Sequence, residues 1–118
     1  MTGIRAVIAS PDPDIRARAA QALEDAGHTV VRETASVLDA LQDSLEDGAE
    51  LAVLDEALSG FRGSEIALIL RHLRFRVTVV VLQPDARARD QGLLTLDPTD
   101  EGFEDNLVSI ADRLGTAS

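Results

Sequence analysis

The sequence predicts an α/β domain built on a doubly wound parallel sheet of five strands. Short apolar runs of strand-like composition alternate along the chain with stretches of helical periodicity. Several of those runs are apolar throughout, as strands become when helices cover both faces of a sheet. Size agrees: 118 residues, 45% of them hydrophobic, make one domain that buries a core without disulfide or metal staples. A single unit over 1–118 is therefore expected, with the small polar tail Gly115 to Ser118 frayed.

Ile4 to Ala9 is short, apolar and partly β-branched, and Ser10-Pro11-Asp12-Pro13 ends it because prolines remove backbone donors. Asp12 suits a helix N-cap with Pro13 at the first helical position. Ile15, Ala19, Ala22, Leu23 and Ala26 then recur at helical spacing until Gly27 supplies the stop. His28 to Arg32 reads as a second strand. Ser36 opens a second helix that carries Val37, Leu38, Leu41 and Leu45 to Gly48, with Asp39 placed as a capping-box variant. Leu51 to Leu54 is a buried-strand candidate ending at Asp55. Ile66, Ile69, Leu70 and Leu73 mark a third helix from Gly63 or Ser64, and Val77 to Leu82 is the most strand-like run in the chain. Pro84 to Gly92 is polar and Arg-rich, so the fourth helix is expected to be shortened or lost. Leu93 to Leu96 then makes a short fifth strand, and Phe103, Leu107, Ile110, Ala111 and Leu114 a last amphipathic helix. The first, third and fourth strands are expected to be the most buried.

Composition removes several kinds of chemistry. Without Cys there is no disulfide framework, thiolate zinc site, iron-sulfur cluster or cysteine nucleophile, and two isolated His residues make a poor metal cage. All eleven positive residues are Arg, so lysine-based catalysis is excluded. A net charge of -10 opposes approach to a phosphate backbone or an anionic membrane. No apolar run approaches the roughly 20 residues needed to span a bilayer, and no leader of signal-peptide shape precedes the first strand. A cytoplasmic chain without cofactor or metal is the expectation.

Pro13-Asp14-Ile15-Arg16, the pair Leu54-Asp55 with Gly63 eight residues later, and Asp97-Pro98 before the last helix are landmarks in the positions they hold in bacterial response-regulator receiver domains. The whole chain resembles a receiver. That resemblance implies the flavodoxin-like strand order 2-1-3-4-5 and a phosphoacceptor aspartate at the end of the third strand, the place of Asp55. It also implies two acidic residues after the first strand to hold magnesium; Ser10 and Pro11 stand there, with Asp12 one place late. Gln83 replaces the Ser or Thr of the family after the fourth strand, and Asp97 replaces the Lys that precedes Pro98. The usual proline four residues beyond the phosphoacceptor is Ser59. Phosphoryl transfer consists mainly of neutralising and positioning three oxygens, so these exchanges remove most of its machinery. Placing Asp97 where a cation belongs reverses an attraction, an effect on the order of several kcal/mol at an effective dielectric near 20. Asp55 is expected to stand exposed at the strand end without magnesium, either as phosphoacceptor or as a strand-end acid capping a neighbouring loop amide.

Charge placement points to a partner. Arg62, Arg71, Arg74, Arg76, Arg87 and Arg89 face only Glu65 and Asp85 within their segment, a local charge of +4 that leaves -14 on the rest. Such a run is a solvated face or a docking surface for an acidic protein or a second copy, since Arg offers forked donors to carboxylates. Direct nucleic-acid binding is disfavoured by the missing Trp and Tyr. His72, between Arg71 and Leu73 with no base or nucleophile beside it, reads as a surface residue. The expected function is a non-enzymatic pseudo-receiver, a protein-interaction module that does not use conventional aspartyl phosphorylation; the alternative is a phosphorylation-driven switch through Asp55. A flavodoxin-like binding protein is a third class, but Ser10-Pro11-Asp12-Pro13 is not a glycine- or threonine-rich phosphate loop.

Overall fold

The computed structural model describes residues 3–36, 39, 42, 48–57, 62–72, 77–82 and 94–116. Their elements run β1 (Arg5–Ala9), α1 (Pro13–Asp25), β2 (Thr29–Thr34), β3 (Leu51–Asp55), α2 (Gly63–His72), β4 (Thr78–Leu82), β5 (Leu94–Leu96) and α3 (Phe103–Thr116). The five strands form one sheet in the order β2-β1-β3-β4-β5, and every pairing is parallel. This is the predicted doubly wound architecture.

Alternation along the strands sorts the core into two layers. Ala6 and Ile8 of β1, Leu51 and Val53 of β3, and Val80 and Leu82 of β4 face α1 and α3, packing on Ala19, Ala20, Leu23, Phe103, Leu107 and Ala111. Val7, Ala9, Ala52 and Leu54 face the other way, onto Ile66 of α2, and Val81 meets Ala67 there. Covered on both sides, β3 is buried at every residue and β1 at all but Arg5, while the last three residues of β4 are buried. The outer strands β2 and β5 are half-buried or exposed, so the burial ranking read from unbroken apolar runs holds.

Helix ends follow their local chemistry. Asp12 is the N-cap of α1, accepting a hydrogen bond from the Asp14 amide, and Pro13 leads the first turn. At the other end the Gly27 amide donates to the Glu24 carbonyl and the His28 amide to that of Leu23, a Schellman closure that requires the positive φ of 91° found at Gly27. Arg62 and Glu65 form half of a capping box on α2: the Glu65 carboxylate accepts from the Arg62 backbone amide at 3.2 Å.

Two boundaries differ from expectation. The second strand starts at Thr29 and continues to Thr34, because pairing with β1 extends it through residues whose own composition is polar. The last helix carries on through Gly115 to Thr116, past the point where a tail is expected to begin. Leu73, expected on the helix that begins near Gly63, falls outside the described residues. Most of the helix expected between Ser36 and Gly48 falls outside the described residues; Asp39 and Gln42, which are described, are helical, and the Asp39 amide donates to Ser36 Oγ as a cap requires. The expected loop from Pro84 to Gly92 also lies outside them.

Candidate functional site

In open α/β sheets side chains converge beyond the carboxyl ends of the strands, and that is where Asp55 and Ser10 meet. Asp55 is the last residue of β3 and Ser10 follows β1, its immediate neighbour in the sheet. Ser10 Oγ donates to Asp55 Oδ2 at 2.7 Å, and the Ala57 amide donates to Asp55 Oδ1 at 2.9 Å. Both carboxylate oxygens therefore have partners. The Asp12 amide in turn donates to Ser10 Oγ at 3.1 Å.

Asp55 is not exposed as the sequence reading has it. It is 8% accessible and Ser10 is fully buried. The physical reason is the serine itself: a hydroxyl can lie against a carboxylate and donate to it, whereas two ionised acids side by side repel and draw in water or a cation. The Ala57 bond is the loop-amide cap that was one of the two roles expected for Asp55.

The donor set does not fit magnesium. That ion demands near-octahedral oxygens at about 2.0–2.1 Å and is usually held by carboxylates. Here the Ser10 proton points at Asp55, Pro11 has no side-chain oxygen, and Asp12 Oδ1 caps α1. Among the described residues no group of three or more His, Asp or Glu converges as a metal site.

Asp97, just before Pro98, is folded onto its own turn. Its Oδ1 accepts from the Thr99 hydroxyl at 2.6 Å and the Thr99 amide at 2.9 Å. Those two bonds, the hydroxyl first, hold its carboxyl below the usual range. Pro98 is buried, and its carbonyl accepts from Arg18 Nη1 at 3.0 Å. Of the predicted interaction residues, Arg62 is exposed and pairs with Glu65 at 3.1 Å. Gln83, Arg74, Arg76, Arg87 and Arg89, and the side chains of Arg71 and His72, lie outside what is described. A groove of about 450 Å³ between α1 and α3, with Ala22, Val108, Asp25 and Asp105 among its lining, shares no residue with the Asp55 site.

Sequence reasoning missed His28, which it treated only as the start of a strand. Its ring is buried, Nδ1 accepts from the Ile4 amide at 3.1 Å, and Nε2 lies 2.8 Å from Asp112 Oδ1 on α3. An acceptor at Nδ1 leaves the proton on Nε2, facing the carboxylate. The partner is 84 positions away in sequence, so local pattern carries no sign of it.

Neither a protein-family model nor a curated protein sequence matches the chain. Solved structures do. The receiver domain of the response regulator NarL from Mycobacterium tuberculosis superposes with a TM-score of 0.82 at 22% identity over 98% of each chain. The BeF3-activated receiver domain of DrrB, a Thermotoga maritima OmpR/PhoB homologue, gives 0.79 at 18% identity, covering 98% of this chain and 99% of that one. The isolated receiver domain of RcsB from Salmonella enterica serovar Typhimurium, solved with the phosphomimetic BeF3, gives 0.81 at 14% identity, covering 99% and 91%. Strand order and superposition together define the class: this chain has the fold of response-regulator receiver domains.

Proposed function

We propose that the chain is a pseudo-receiver: a receiver-fold module that acts in bacterial signalling by binding protein, without magnesium-assisted phosphorylation of an aspartate and without a reaction of its own. The observation that supports this most is the state of Asp55. Both its oxygens are engaged by protein donors, and the positions that would bring a metal and a cation to a phosphoryl group are Ser10, Pro11 and Asp97. A phosphoryl group built on Oδ2 would have to displace the Ser10 hydroxyl and would meet no fixed positive charge from these residues.

The partner in this reading is an acidic protein surface or a second copy, met by the arginines between Arg62 and Arg89 in the cytoplasm. A net charge of -10 and the lack of Trp and Tyr argue against direct nucleic-acid binding. No helix among the described residues is long and apolar enough to cross a membrane.

A second reading is kept because one observation favours it: Asp55 closes β3, the place from which a phosphoacceptor works in this fold. In that reading Asp55 takes the phosphoryl group with unusual ligands. Intact-mass measurement after incubation with acetyl phosphate and magnesium separates the two. No mass gain is expected, while a phosphoryl adduct that disappears in Asp55→Asn would replace the pseudo-receiver by the switch. A flavin absorbance in the purified protein would overturn both.

A further inference from the structure

We infer that the Ser10 hydroxyl takes the place of a cation at the carboxyl end of the sheet, clamping Asp55 and the start of α1 into one metal-independent arrangement. This deepens the pseudo-receiver reading and rests on it for its meaning in signalling, though the geometry stands by itself.

Every hydrogen-bonding group of Ser10 is used, and together they reach three elements. Its amide donates to the Thr34 carbonyl at the end of β2. Its hydroxyl donates to Asp55 at the end of β3 and accepts from the amide of Asp12, the N-cap of α1. Its carbonyl accepts from Arg16 Nη1 in the first turns of α1 at 2.5 Å. One fully buried residue thus joins two strand ends to the helix entry. A divalent ion in such a position would join them by attraction to several carboxylates. Ser10 does so with one donated proton and one accepted one, and needs no compensating charge.

A carboxylate at position 10 would reverse these terms. It has no proton for Asp55 at neutral pH and would set a second negative charge beside a nearly buried one, a pair that is relieved by binding a cation. Replacing the hydroxyl by a methyl group would instead leave Asp55 Oδ2 and the Asp12 amide without their partner, and no ion can restore a proton donor.

Thermal melts in chelator and in millimolar magnesium test this on the full chain. The native protein should melt at the same temperature in both. Ser10→Asp should melt lower by at least about 4 °C in chelator and regain most of the loss with magnesium, whereas Ser10→Ala should be lowered without recovery. A purely structural serine would show no such split between the two variants. A saturable magnesium shift in the native chain overturns the inference. So does Ser10→Asp melting like the native chain in chelator, or remaining unfolded when magnesium is supplied. Phosphoryl incorporation at Asp55, scored separately by mass, would sink the pseudo-receiver reading whichever way magnesium acts here.

Discussion

His28 shows how much one side chain can hold when both ring nitrogens are committed. It follows the Gly27 turn, lies against the beginning of β1 and reaches α3, so three parts of the fold meet on a ring whose side chain is 1% exposed. His28→Ala would leave the Ile4 amide buried and unpaired as well as opening a void, an expected loss of about 1–3 kcal/mol from the amide alone. His28→Asn carries an acceptor near the position of Nδ1 and should recover part of that loss, while His28→Leu should not. Urea unfolding of the three variants measures this, and equal losses in Asn and Leu would show that shape rather than the Ile4 bond matters. Neither His28 nor the burial of Asp55 was legible beforehand, for related reasons. The burial of Asp55 depends on a serine 45 positions away turning its proton inward, and His28 on an aspartate still more distant. That Ser10 and Pro11 follow the first strand and Asp97 precedes Pro98 was legible, because it concerns residue order rather than contact.

At the scale of elements, the parts most clearly written in the chain are those whose local signals agree with their surroundings. β1, β3 and β4 are apolar on both faces, and they are the strands with helices on both sides. α1 has a cap, a leading proline and a glycine stop, and its bounds match those signals. β2 was read too short because Glu33 and Thr34 are polar and are strand only by pairing with Ile8 and Ala9. The contact between α1 and α3 was not legible at all. Arg18 donates through Nε to Glu104 at 2.7 Å and lies over the Phe103 ring, 5.4 Å from its centre. The Arg18 hydrogen bond, chiefly, holds the Glu104 carboxyl below its ordinary 4.5. A depressed folded pKa means stability that is present above the unfolded value and lost as pH falls through the folded one. With side chains 45% and 35% exposed, solvent screening limits the contribution, and about 1 kcal/mol is its ceiling. Glu104→Gln should therefore be slightly less stable than the native chain near neutrality, with the gap closing as the pH falls from the ordinary carboxylate range through the lowered folded-state value. A gap that persists in acid would assign the effect to packing of the Arg18 stem on Phe103.

For the whole molecule the governing quantity is the uneven spread of charge. Arg18 with Glu104, Arg32 with Asp39 and, within one helix start, Arg62 with Glu65 are short-range pairs. They leave the larger imbalance, +4 between Arg62 and Arg89 against -14 elsewhere, uncancelled as a net field. Part of the acidic excess lies along the α1–α3 groove, where Asp25 and Asp105 are among the residues lining it. In the proposed reading, the arginine segment would attract an acidic surface, such as one that another copy presents. Arg62 is already engaged by Glu65, so the arginines further along should contribute more. The expected outcome is a complex, with a copy or with an acidic protein, that loosens as salt rises, because attraction between exposed charges is screened over about 8–10 Å at physiological ionic strength. Sedimentation velocity at low and high salt should show the assembled fraction fall, and Arg71→Glu with Arg74→Glu should abolish it at low salt. Association driven by apolar contact would instead hold or strengthen with salt. If neither salt nor charge reversal changes the mass or the capture of an acidic partner, the arginine segment is a solvated face and no docking role remains for it.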